Sequence, residues 1–177
     1  IVTKGFRDVL LIGNQDRPRL FDLAIKKPQP LFSTVVEIDE RLDADGNVLV
    51  APNRETLRRQ FDELRRANVD SLAICLLHAY VNPAHEQVVE AAAREAGFEE
   101  LSVSSHVSPL IKLVSRGETT VLDAYLNPIL RRYVGSLRRD LGDATRLRLM
   151  TSAGGLVEAV RFSGKDSILS GPAGGVI

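Results

Sequence analysis

The sequence predicts an α/β fold with a mostly parallel sheet flanked by helices. From residue 54 onward, stretches with apolar residues at helical spacing alternate with short apolar runs. Such alternation is typical of parallel sheets, because each parallel connection crosses over the sheet and usually does so as a helix. Two glycine-rich turns follow the last two apolar runs, and open α/β sheets bind ligands at the carboxyl ends of their strands.

The composition is that of an ordinary globular domain and argues against several kinds of partner. The 177 residues are 44% apolar and 26% charged, and 23 basic side chains balance 23 acidic ones. A chain without net charge has no global field that attracts nucleic acid or an anionic membrane. Aromatic residues make up only 5% and tryptophan is absent, which argues against base stacking. We therefore expect no nucleic-acid and no membrane partner.

The lone cysteine and the first residues bear on the compartment and the extent of the chain. Cys75 lies inside the apolar run 72–77, where we expect a buried thiol in a reducing, cytoplasmic compartment. Residues 1–5 contain neither an initiator methionine nor a signal-peptide pattern. The second glycine turn stops where a helix should begin. These features predict an internal fragment of a longer protein.

The region before residue 54 predicts a β-hairpin. Residues 33–42 nearly alternate between apolar and polar, and the turn-forming residues 43–47 separate them from the apolar run 48–50. Residues 43–47 also resemble the start of a calcium loop, but Arg54 stands where that loop needs a bidentate glutamate. A turn is therefore favoured over a calcium site.

A helix and a buried strand follow the hairpin. Leu57, Phe61 and Leu64 recur at helical spacing and predict an amphipathic helix over residues 54–67. The continuous apolar run 69–77 predicts a strand that is covered on both faces.

The next elements have recognisable start and stop signals. Asn82 and Pro83 are typical of a helix start, and Gly97 of a helix end. Residues 101–104 predict another short strand. A capping-box pattern at residues 115–118 predicts the start of the longest helix.

Two last strands are predicted at residues 147–151 and 167–170, each followed by a glycine turn. Side-chain-poor turns let backbone N–H groups approach an anionic ligand closely. We expect the bends at Ser152 and Ser170 to face one cleft at the carboxyl ends of the strands. Neither turn matches a strong nucleotide motif, so simple turn or packing glycines remain the alternative.

The other candidate groups favour structural roles. The histidines, His78, His85 and His106, lie in different elements and do not form a zinc pattern with the single cysteine. A ligand contact at His78 and Tyr80 stays open, because both follow a central strand. Ser170 lacks the nucleophile-elbow motif and an assignable His/Asp pair. We assign no catalytic residue and no metal ligand from the sequence.

Six strings, taken together and in this order, resemble the hydantoinase A/5-oxoprolinase family, which also includes acetone carboxylase-type subunits. They lie at residues 3–18, 21–23, 73–86, 119–128, 150–156 and 169–176. The resemblance implies a ribonuclease-H-like, actin-like ATPase fold with a small β-hairpin insertion. It also implies an enzyme that uses ATP and Mg²⁺ to open a small cyclic amide such as a lactam or hydantoin.

The family resemblance implies a division of the chain. Residues 1–25 would end the N-terminal strand and loop region of the first ATPase domain, and residues 26–53 would be the β-hairpin insertion. Residues 54–170 would form the α/β part of that domain, and residues 171–177 would begin the inter-domain connection. The family's two Asp-x-Gly-Gly-Thr phosphate loops are absent from this sequence. We therefore expect the isolated fragment to bind no cofactor and to be inactive.

Site residues are carried over from the matched strings. Near the substrate the resemblance places Arg7, Asp8, Gln15, Arg17, Ser152, Gly154 and Gly155. Towards the nucleotide and the hinge it places Ser170, Gly171, Gly174 and Gly175. Relatives often carry asparagine where Ala153 stands, and residues 110–116 are less polar than the common pattern, which leaves the substrate open.

Partners and rival functions follow from the same resemblance. A B-type subunit or a second copy of the chain is the expected protein partner. The rival functions are a metabolite-kinase-like relative of the same fold and a non-catalytic binding or assembly module whose glycine turns only pack helices.

Overall fold

A computed structural model of the chain describes residues 1–14, 21, 23–24, 27–142 and 145–171. Helices and strands alternate after residue 54, as the sequence predicts. The strands are β1 (Val2–Thr3), β2 (Glu37–Ile38), β3 (Arg41–Leu42), β4 (Val48–Val50), β5 (Ser71–Ile74), β6 (Glu100–Val103), β7 (Arg148–Met150) and β8 (Leu156–Glu158). The α-helices are α1 (Val9–Ile12), α2 (Arg54–Arg66), α3 (Ala84–Glu95), α4 (Ser104–Val107) and α5 (Leu113–Leu141).

Four short strands form a parallel arrangement in the order β2-β1-β5-β6. β1 pairs in parallel with β2, and β5 pairs in parallel with β6. A parallel bridge between Val2 and Cys75 joins the two pairs, and the Cys75 N–H donates to the Ile1 carbonyl at 3.0 Å. The predicted parallel pairing is confirmed for these strands.

The main hydrophobic core lies where α2 and α3 cover β5 and β6. The predicted face of α2 is buried, and its first turn is capped by the Asn53 side chain, which accepts from the Thr56 N–H at 3.0 Å. Phe61 and Phe98 meet edge to face with their ring centroids 6.0 Å apart. The core residues are Ile38, Leu57, Phe61, Leu64, Leu72, Ile74, Leu76, Ala79, Val89, Ala93, Phe98 and Val103.

α3 begins and ends close to the predicted residues. The helix begins at Ala84 with Pro83 at the N-cap position, one residue later than predicted, and the Asn82 side chain accepts from the Ala84 N–H at 3.0 Å. Gly97 follows the helix with φ +86°, a conformation that glycine adopts without a steric penalty. The sequence signals for this helix are therefore confirmed.

The β-hairpin is present, but its first arm is shorter than predicted. β3 and β4 pair antiparallel across residues 43–47. The Asp43 carboxylate accepts from the backbone N–H groups of Asp45 and Asn47 at 3.0 and 2.8 Å. A further hydrogen bond from the Asn47 side chain leads the effects that hold the pKa of Asp43 below its usual value. The acidic cluster is thus a hydrogen-bonded turn.

The upstream part of the predicted first hairpin arm pairs with β1 instead of with the other arm. Glu37 and Ile38 form β2 beside β1, because the Ile38 carbonyl accepts from the Lys4 N–H at 2.9 Å. The chain therefore changes sheets between β2 and β3. An alternating pattern does not reveal which neighbour each half of a strand will pair with.

The longest helix, α5, starts earlier than the capping box predicts. Its first residue is Leu113 with Lys112 at the N-cap position, and the Arg116 N–H donates to the Lys112 carbonyl at 3.0 Å. Ser115 and Glu118 therefore lie inside the helix and the predicted start was wrong.

The C-terminal part of the described chain also differs from the prediction. β7 pairs antiparallel with β8, a strand that the sequence analysis missed. Residues 167–169 form a turn and Ser170 is helical, so no strand forms here, and the segment follows a 3₁₀ turn at Gly164–Asp166. The Ser167 hydroxyl donates to the Gly164 carbonyl at 2.8 Å, and such local bonds compete with strand pairing.

Replacing Gly164 with alanine tests how tightly this 3₁₀ turn packs on α5. The added methyl group would lie 2.8 Å from both the Asp123 carbonyl oxygen and the Leu126 Cβ. We expect Gly164→Ala to cost about 1–3 kcal/mol in the free energy of unfolding, because the backbone must move to relieve the overlap. Urea denaturation measures the change.

Gly135→Ala is the matched control. A methyl group at Gly135, within α5, would meet only the end of the Arg139 side chain at 3.8 Å. Alanine is favoured over glycine inside a helix by about 1 kcal/mol, so this variant should gain stability. Equal stability of the two variants would contradict the tight packing at Gly164.

Candidate functional site

The carboxyl ends of β1, β5 and β6 lie at the same edge of the parallel arrangement, because the three strands run in the same direction. Residues 4–8 follow β1, residues 75–80 follow β5, and α4 follows β6. Ligands of open α/β sheets bind at this kind of edge. We therefore treat the groups that surround these strand ends as the candidate site.

A buried glutamate on α3 organises this edge. Glu86 is 0% exposed and accepts from the Leu76 N–H at 2.9 Å. It also accepts from the Ser104 hydroxyl at 2.6 Å and from the Ser105 N–H at 2.9 Å. The carboxylate therefore joins the end of β5 to the start of α4 and is hydrogen bonded throughout.

A buried arginine on α5 binds the carbonyl of Leu76, the residue whose N–H is bound by Glu86. Arg116 is 0% exposed, and its Nη2 donates to the Leu76 carbonyl at 2.6 Å. Its Nη1 donates to the Leu110 carbonyl at 2.7 Å. The guanidinium carbon lies 5.5 Å from the centroid of the Tyr80 ring, within the range of a cation–π contact.

A second buried network links β1 with α3. The Thr3 hydroxyl donates to Glu40 Oε1 and accepts from the Leu77 N–H at 2.8 Å. Glu40 Oε2 lies 2.6 Å from Nδ1 of His85. All three side chains are buried, so the structural role predicted for His85 agrees with its surroundings.

Cys75 is buried beside this edge, as predicted. Burial raises the pKa of its thiol, because the charged thiolate is poorly solvated there. This environment is the opposite of the one that activates a cysteine nucleophile.

The C-terminal segment is attached to α5 by an aspartate and an asparagine one turn apart. Asp123 accepts from the Ser102 hydroxyl at 2.7 Å, the Asn127 side-chain amide at 2.9 Å and the Lys165 N–H at 2.9 Å. The Asn127 side-chain oxygen accepts from the Gly164 N–H at 2.7 Å. These bonds fix the 3₁₀ turn against the middle of α5.

The bends at Ser152 and Ser170 lie close together. The Ser152 hydroxyl accepts from the Leu169 N–H at 3.1 Å and donates to the Asp166 carbonyl at 2.8 Å. Their predicted proximity therefore holds, although β7 and β8 pair antiparallel and residues 167–170 are not a strand. The predicted reason, two parallel strands ending at one edge, was wrong.

Three amides of the Ser152 turn already donate to acceptors within the protein. The Ser152 N–H donates to the Asp166 carbonyl at 2.7 Å, and the Gly154 N–H donates to the Thr151 carbonyl at 2.9 Å. The Gly155 N–H donates to the Thr151 hydroxyl at 3.3 Å. A phosphate loop needs such amides to point at the ligand, so this turn does not fit a phosphate cradle.

Arg7 and Asp8 follow β1 at the candidate edge. Arg7 Nη2 donates to the Val35 carbonyl at 3.2 Å, and its Nε lies 3.8 Å from Glu37 Oε2. Within the described ranges, no hydrogen bond or ion pair joins Arg7 or Asp8 to the Ser152 turn. Gly171 is the last described residue. Gln15, Arg17, Gly174 and Gly175 lie outside the described residues.

Arg7 also borders a cleft of about 330 Å³. Residues 31–36, one face of β1 and β5, and the α5 residues Gly117 and Val121 form its walls. Most of this lining is apolar, and the buried polar networks lie outside it. We therefore place the candidate site at the strand ends rather than in the cleft.

Sequence reasoning missed the buried polar residues at the strand ends. Glu86 lies in a string that the family resemblance includes, but a charged helix residue looks exposed without knowledge of its neighbours. Arg116 was assigned to a capping box. Asp123 and Asn127 are four residues apart, which places them on one helix face, and this spacing was the available signal.

The described residues contain neither a membrane-spanning helix nor a cluster of metal-ligating side chains. No helix there is long and apolar enough to cross a membrane. Across the same ranges, no group of three histidine, cysteine, aspartate or glutamate side chains is placed to hold a metal ion.

Sequence profiles and relatives identify the family. Residues 1–97 match the hydantoinase/oxoprolinase N-terminal region, and residues 116–177 match the hydantoinase/oxoprolinase domain. The 5-oxoprolinase of Saccharomyces cerevisiae is 43% identical over 100% of this chain and 16% of its own length. The 5-oxoprolinase 1 of Arabidopsis thaliana is 41% identical over 99% of this chain and 16% of its own length.

Solved structures share the fold. The ATP-dependent caprolactamase of Pseudomonas jessenii aligns with a TM-score of 0.81 at 28% identity, over 97% of this chain and 26% of that one. A nucleotide-free acetone carboxylase aligns with a TM-score of 0.77 at 24% identity, over 99% of this chain and 27% of that one.

The chain is an α/β domain that shares its fold with ATP-dependent enzymes of known structure. It belongs to the hydantoinase/oxoprolinase family, which confirms the resemblance seen in its sequence. The chain spans about one sixth of the length of the 5-oxoprolinase relatives and about a quarter of the solved chains.

Glu86→Ala tests the buried carboxylate at the strand ends. The change leaves the Leu76 N–H, the Ser105 N–H and the Ser104 hydroxyl without their acceptor. We expect a loss of about 3–5 kcal/mol in the free energy of unfolding, because each buried unpaired donor costs about 1–3 kcal/mol. Urea denaturation followed by circular dichroism measures it.

Glu90→Ala is the control on the same helix. Among the described residues, Glu90 forms an ion pair with Arg94 alone, one turn away at 2.8 Å, and its side chain is partly exposed. We expect a loss of about 0.5 kcal/mol or less, as for other helical ion pairs. Similar losses for both variants would show that Glu86 has no special role.

Asp166→Asn tests the pH dependence of the C-terminal segment. Burial alone would raise the pKa of Asp166, but hydrogen bonds from Lys165 and Ser163 at 2.8 and 2.7 Å outweigh it and lower the pKa. A lowered folded-state pKa stabilises the fold above the unfolded pKa of about 3.9, and this stability is lost as the pH falls through the folded pKa.

The parent chain should therefore be more stable than Asp166→Asn at about pH 7, by less than about 1 kcal/mol because the pair is partly exposed. The difference should shrink towards about pH 3. Urea midpoints at the two pH values measure it. A difference that stays constant between them would contradict the assignment.

Proposed function

We propose that this chain is one part of a longer ATP-dependent enzyme that opens a lactam or hydantoin ring. The observation that supports this most is the whole-chain alignment with 5-oxoprolinases at 41–43% identity. The fold shared with the caprolactamase structure also supports the proposal, since the name of that protein gives both ATP dependence and a lactam substrate.

The finer fold assignment belongs to the same proposal. We infer a ribonuclease-H-like, actin-like ATPase fold in which residues 54–170 form the α/β part of the first domain. Residues 1–25 would precede it, residues 26–53 would be the hairpin insertion, and residues 171–177 would begin the inter-domain connection. The hairpin formed by β3 and β4 supports an insertion within residues 26–53, whereas β2 of the same range pairs with β1 in the parallel sheet.

ATP and Mg²⁺ are the cofactors that this function implies. The described residues do not fit a complete site for them, because the Ser152 turn uses its amides internally. No group of three histidine, cysteine, aspartate or glutamate side chains is placed to hold a metal ion in the same part of the chain. We therefore derive no reaction step through ATP from these residues.

The partners of the whole enzyme are proposed in the same way. The substrate class is a small cyclic amide. A second subunit of B type or a second copy is the proposed protein partner, and one relative is named as the alpha subunit of a caprolactamase. The cytoplasmic location stays a prediction from composition.

The proposed substrate-proximal residues remain the seven carried over from the family resemblance: Arg7, Asp8, Gln15, Arg17, Ser152, Gly154 and Gly155. Arg7 and Asp8 are supported by their position after β1 at the carboxyl edge. The Ser152 turn is supported only by its place in a matched string. Ser170, Gly171, Gly174 and Gly175 keep their proposed place near the nucleotide and the hinge.

The activity test compares the complete protein with the isolated 177 residues. We expect the complete protein to release ADP only when a cyclic amide such as 5-oxoproline, a hydantoin or caprolactam is added, together with the ring-opened product. The isolated chain should release none above background. ADP release with sugars and a phosphorylated sugar as product would instead show a kinase.

A further inference from the structure

We propose that an extended apolar segment of the longer protein continues β1 beyond Ile1 and fills the cleft between residues 33–36 and 68–71. The inference rests on the proposed function in one respect, since it takes this chain as one part of a longer polypeptide. Its basis is the position of β1 in the sheet, together with the hydrogen-bonding groups and the apolar side chains that line the cleft.

β1 is a central strand whose two neighbours extend upstream of it. It lies between β2 and β5. Residues 33–36 and 68–71 lie upstream on these two neighbours, and both stretches line the cleft of about 330 Å³. Adjacent strands are about 4.8 Å apart, so two strands that flank a third are about 10 Å apart. The cleft therefore lies where a continuation of β1 would run.

The register on the β5 side leaves backbone groups for a further residue. The Ile1 amino group donates to the Ala73 carbonyl at 2.7 Å, and the Cys75 N–H donates to the Ile1 carbonyl at 3.0 Å. Successive residues of a strand turn to opposite sides, so Ser71 and Ala73 present their backbone groups to the same side as Cys75. The Ser71 carbonyl and the Ala73 N–H would therefore pair with a residue two positions before Ile1.

The β2 side shows the same pattern, shifted by one residue. The Val2 N–H donates to the Val36 carbonyl at 3.0 Å. Among the described residues, neither the Val36 N–H nor the Thr34 carbonyl forms a backbone hydrogen bond. These two groups would pair with the residue directly before Ile1. An added strand thus finds donors and acceptors on both sides, as in other cases of strand addition.

The amino group of Ile1 occupies a position that suits a peptide N–H. Burial lowers the pKa of this amino group to about 6, because its charged form is poorly solvated there. A peptide N–H would donate the same hydrogen bond to Ala73 without carrying a charge. The surroundings therefore favour a polypeptide that continues through Ile1 over a charged amino group.

The cleft walls indicate which kind of segment fits. Leu64 of α2 and Val121 of α5 both line the cleft. The two helices cover opposite faces of the sheet, because Ser102 of β6 binds Asp123 of α5 whereas the next residue, Val103, lies in the core beside α2. A strand that is covered on both faces is typically a continuous apolar run. We therefore infer an apolar segment of about four residues, the length of each flanking stretch at the rise of a strand.

The test compares backbone amide exchange in three proteins. The first is the 177-residue chain, and the second carries in addition the roughly ten residues that precede it in the complete protein, enough for one strand. The third carries a Gly/Ser extension of the same length. Mass spectrometry with electron-transfer fragmentation reads the exchange of single amides.

We expect the native extension to slow exchange at Ala73 and Val36 about tenfold, the effect of one hydrogen bond gained at each amide. The melting temperature should rise by at least about 4 °C, because the added strand buries apolar side chains. These two readouts report strand addition without any measurement of turnover.

Two controls separate the added strand from other effects of lengthening the chain. The Ile74 N–H is the matched control amide, because it lies on the β6 side of β5, and its exchange should change less than that of Ala73. The Gly/Ser extension also removes the charge at Ile1, but it has no apolar side chains for the cleft. It should leave exchange at Ala73 and Val36 close to that of the 177-residue chain.

The proposal is overturned if the native extension does not slow exchange at both Ala73 and Val36, since a strand between β2 and β5 must pair with both sides. It is also overturned if the Gly/Ser extension slows both amides equally, because apolar side chains would then play no part. A longer chain that protects both amides but releases no ADP with a cyclic amide would contradict the proposed function alone. The two failures are therefore distinguishable.

Discussion

The structure depends on the way two buried charges hold Leu76 at the end of β5. Glu86 binds its N–H and Arg116 binds its carbonyl, and both side chains are 0% exposed. Removing a charge from water is costly unless its hydrogen bonds are replaced. Glu86 receives three donors in return. This requirement fixes α3, α4 and α5 relative to the central strands.

The carboxyl edge of the sheet and the C-terminal segment are held by different sets of hydrogen-bonded side chains. At the edge, β1 is linked to α3 by a buried chain of Thr3, Glu40 and His85. The C-terminal segment reaches the core through Asp123 and Asn127, which bind the N–H groups of Lys165 and Gly164. The edge is therefore defined by buried side chains of several elements, whereas the glycine turns are positioned through one face of α5.

The sequence predicted elements with strong local signals and missed those defined by pairing. α2 could be predicted because apolar spacing and the Asn53 cap agree. β2 could not, because a two-residue strand carries no periodicity and takes its place from β1. Residues 167–170 look like a strand by composition, but short polar side chains bind their own backbone. The start of α5 was misplaced because Ser115 and Glu118 fit a cap equally well.

The candidate site, like the fold, could be predicted from the sequence only in part. The family strings include Glu86 but not Arg116, and a string does not say which of its side chains is buried. Glycine turns suggest phosphate binding because their backbone is accessible. At Ser152 the fold instead uses three turn amides for its own hydrogen bonds. Glycine content alone therefore does not indicate an anion site, because the amides must also be free of partners within the protein.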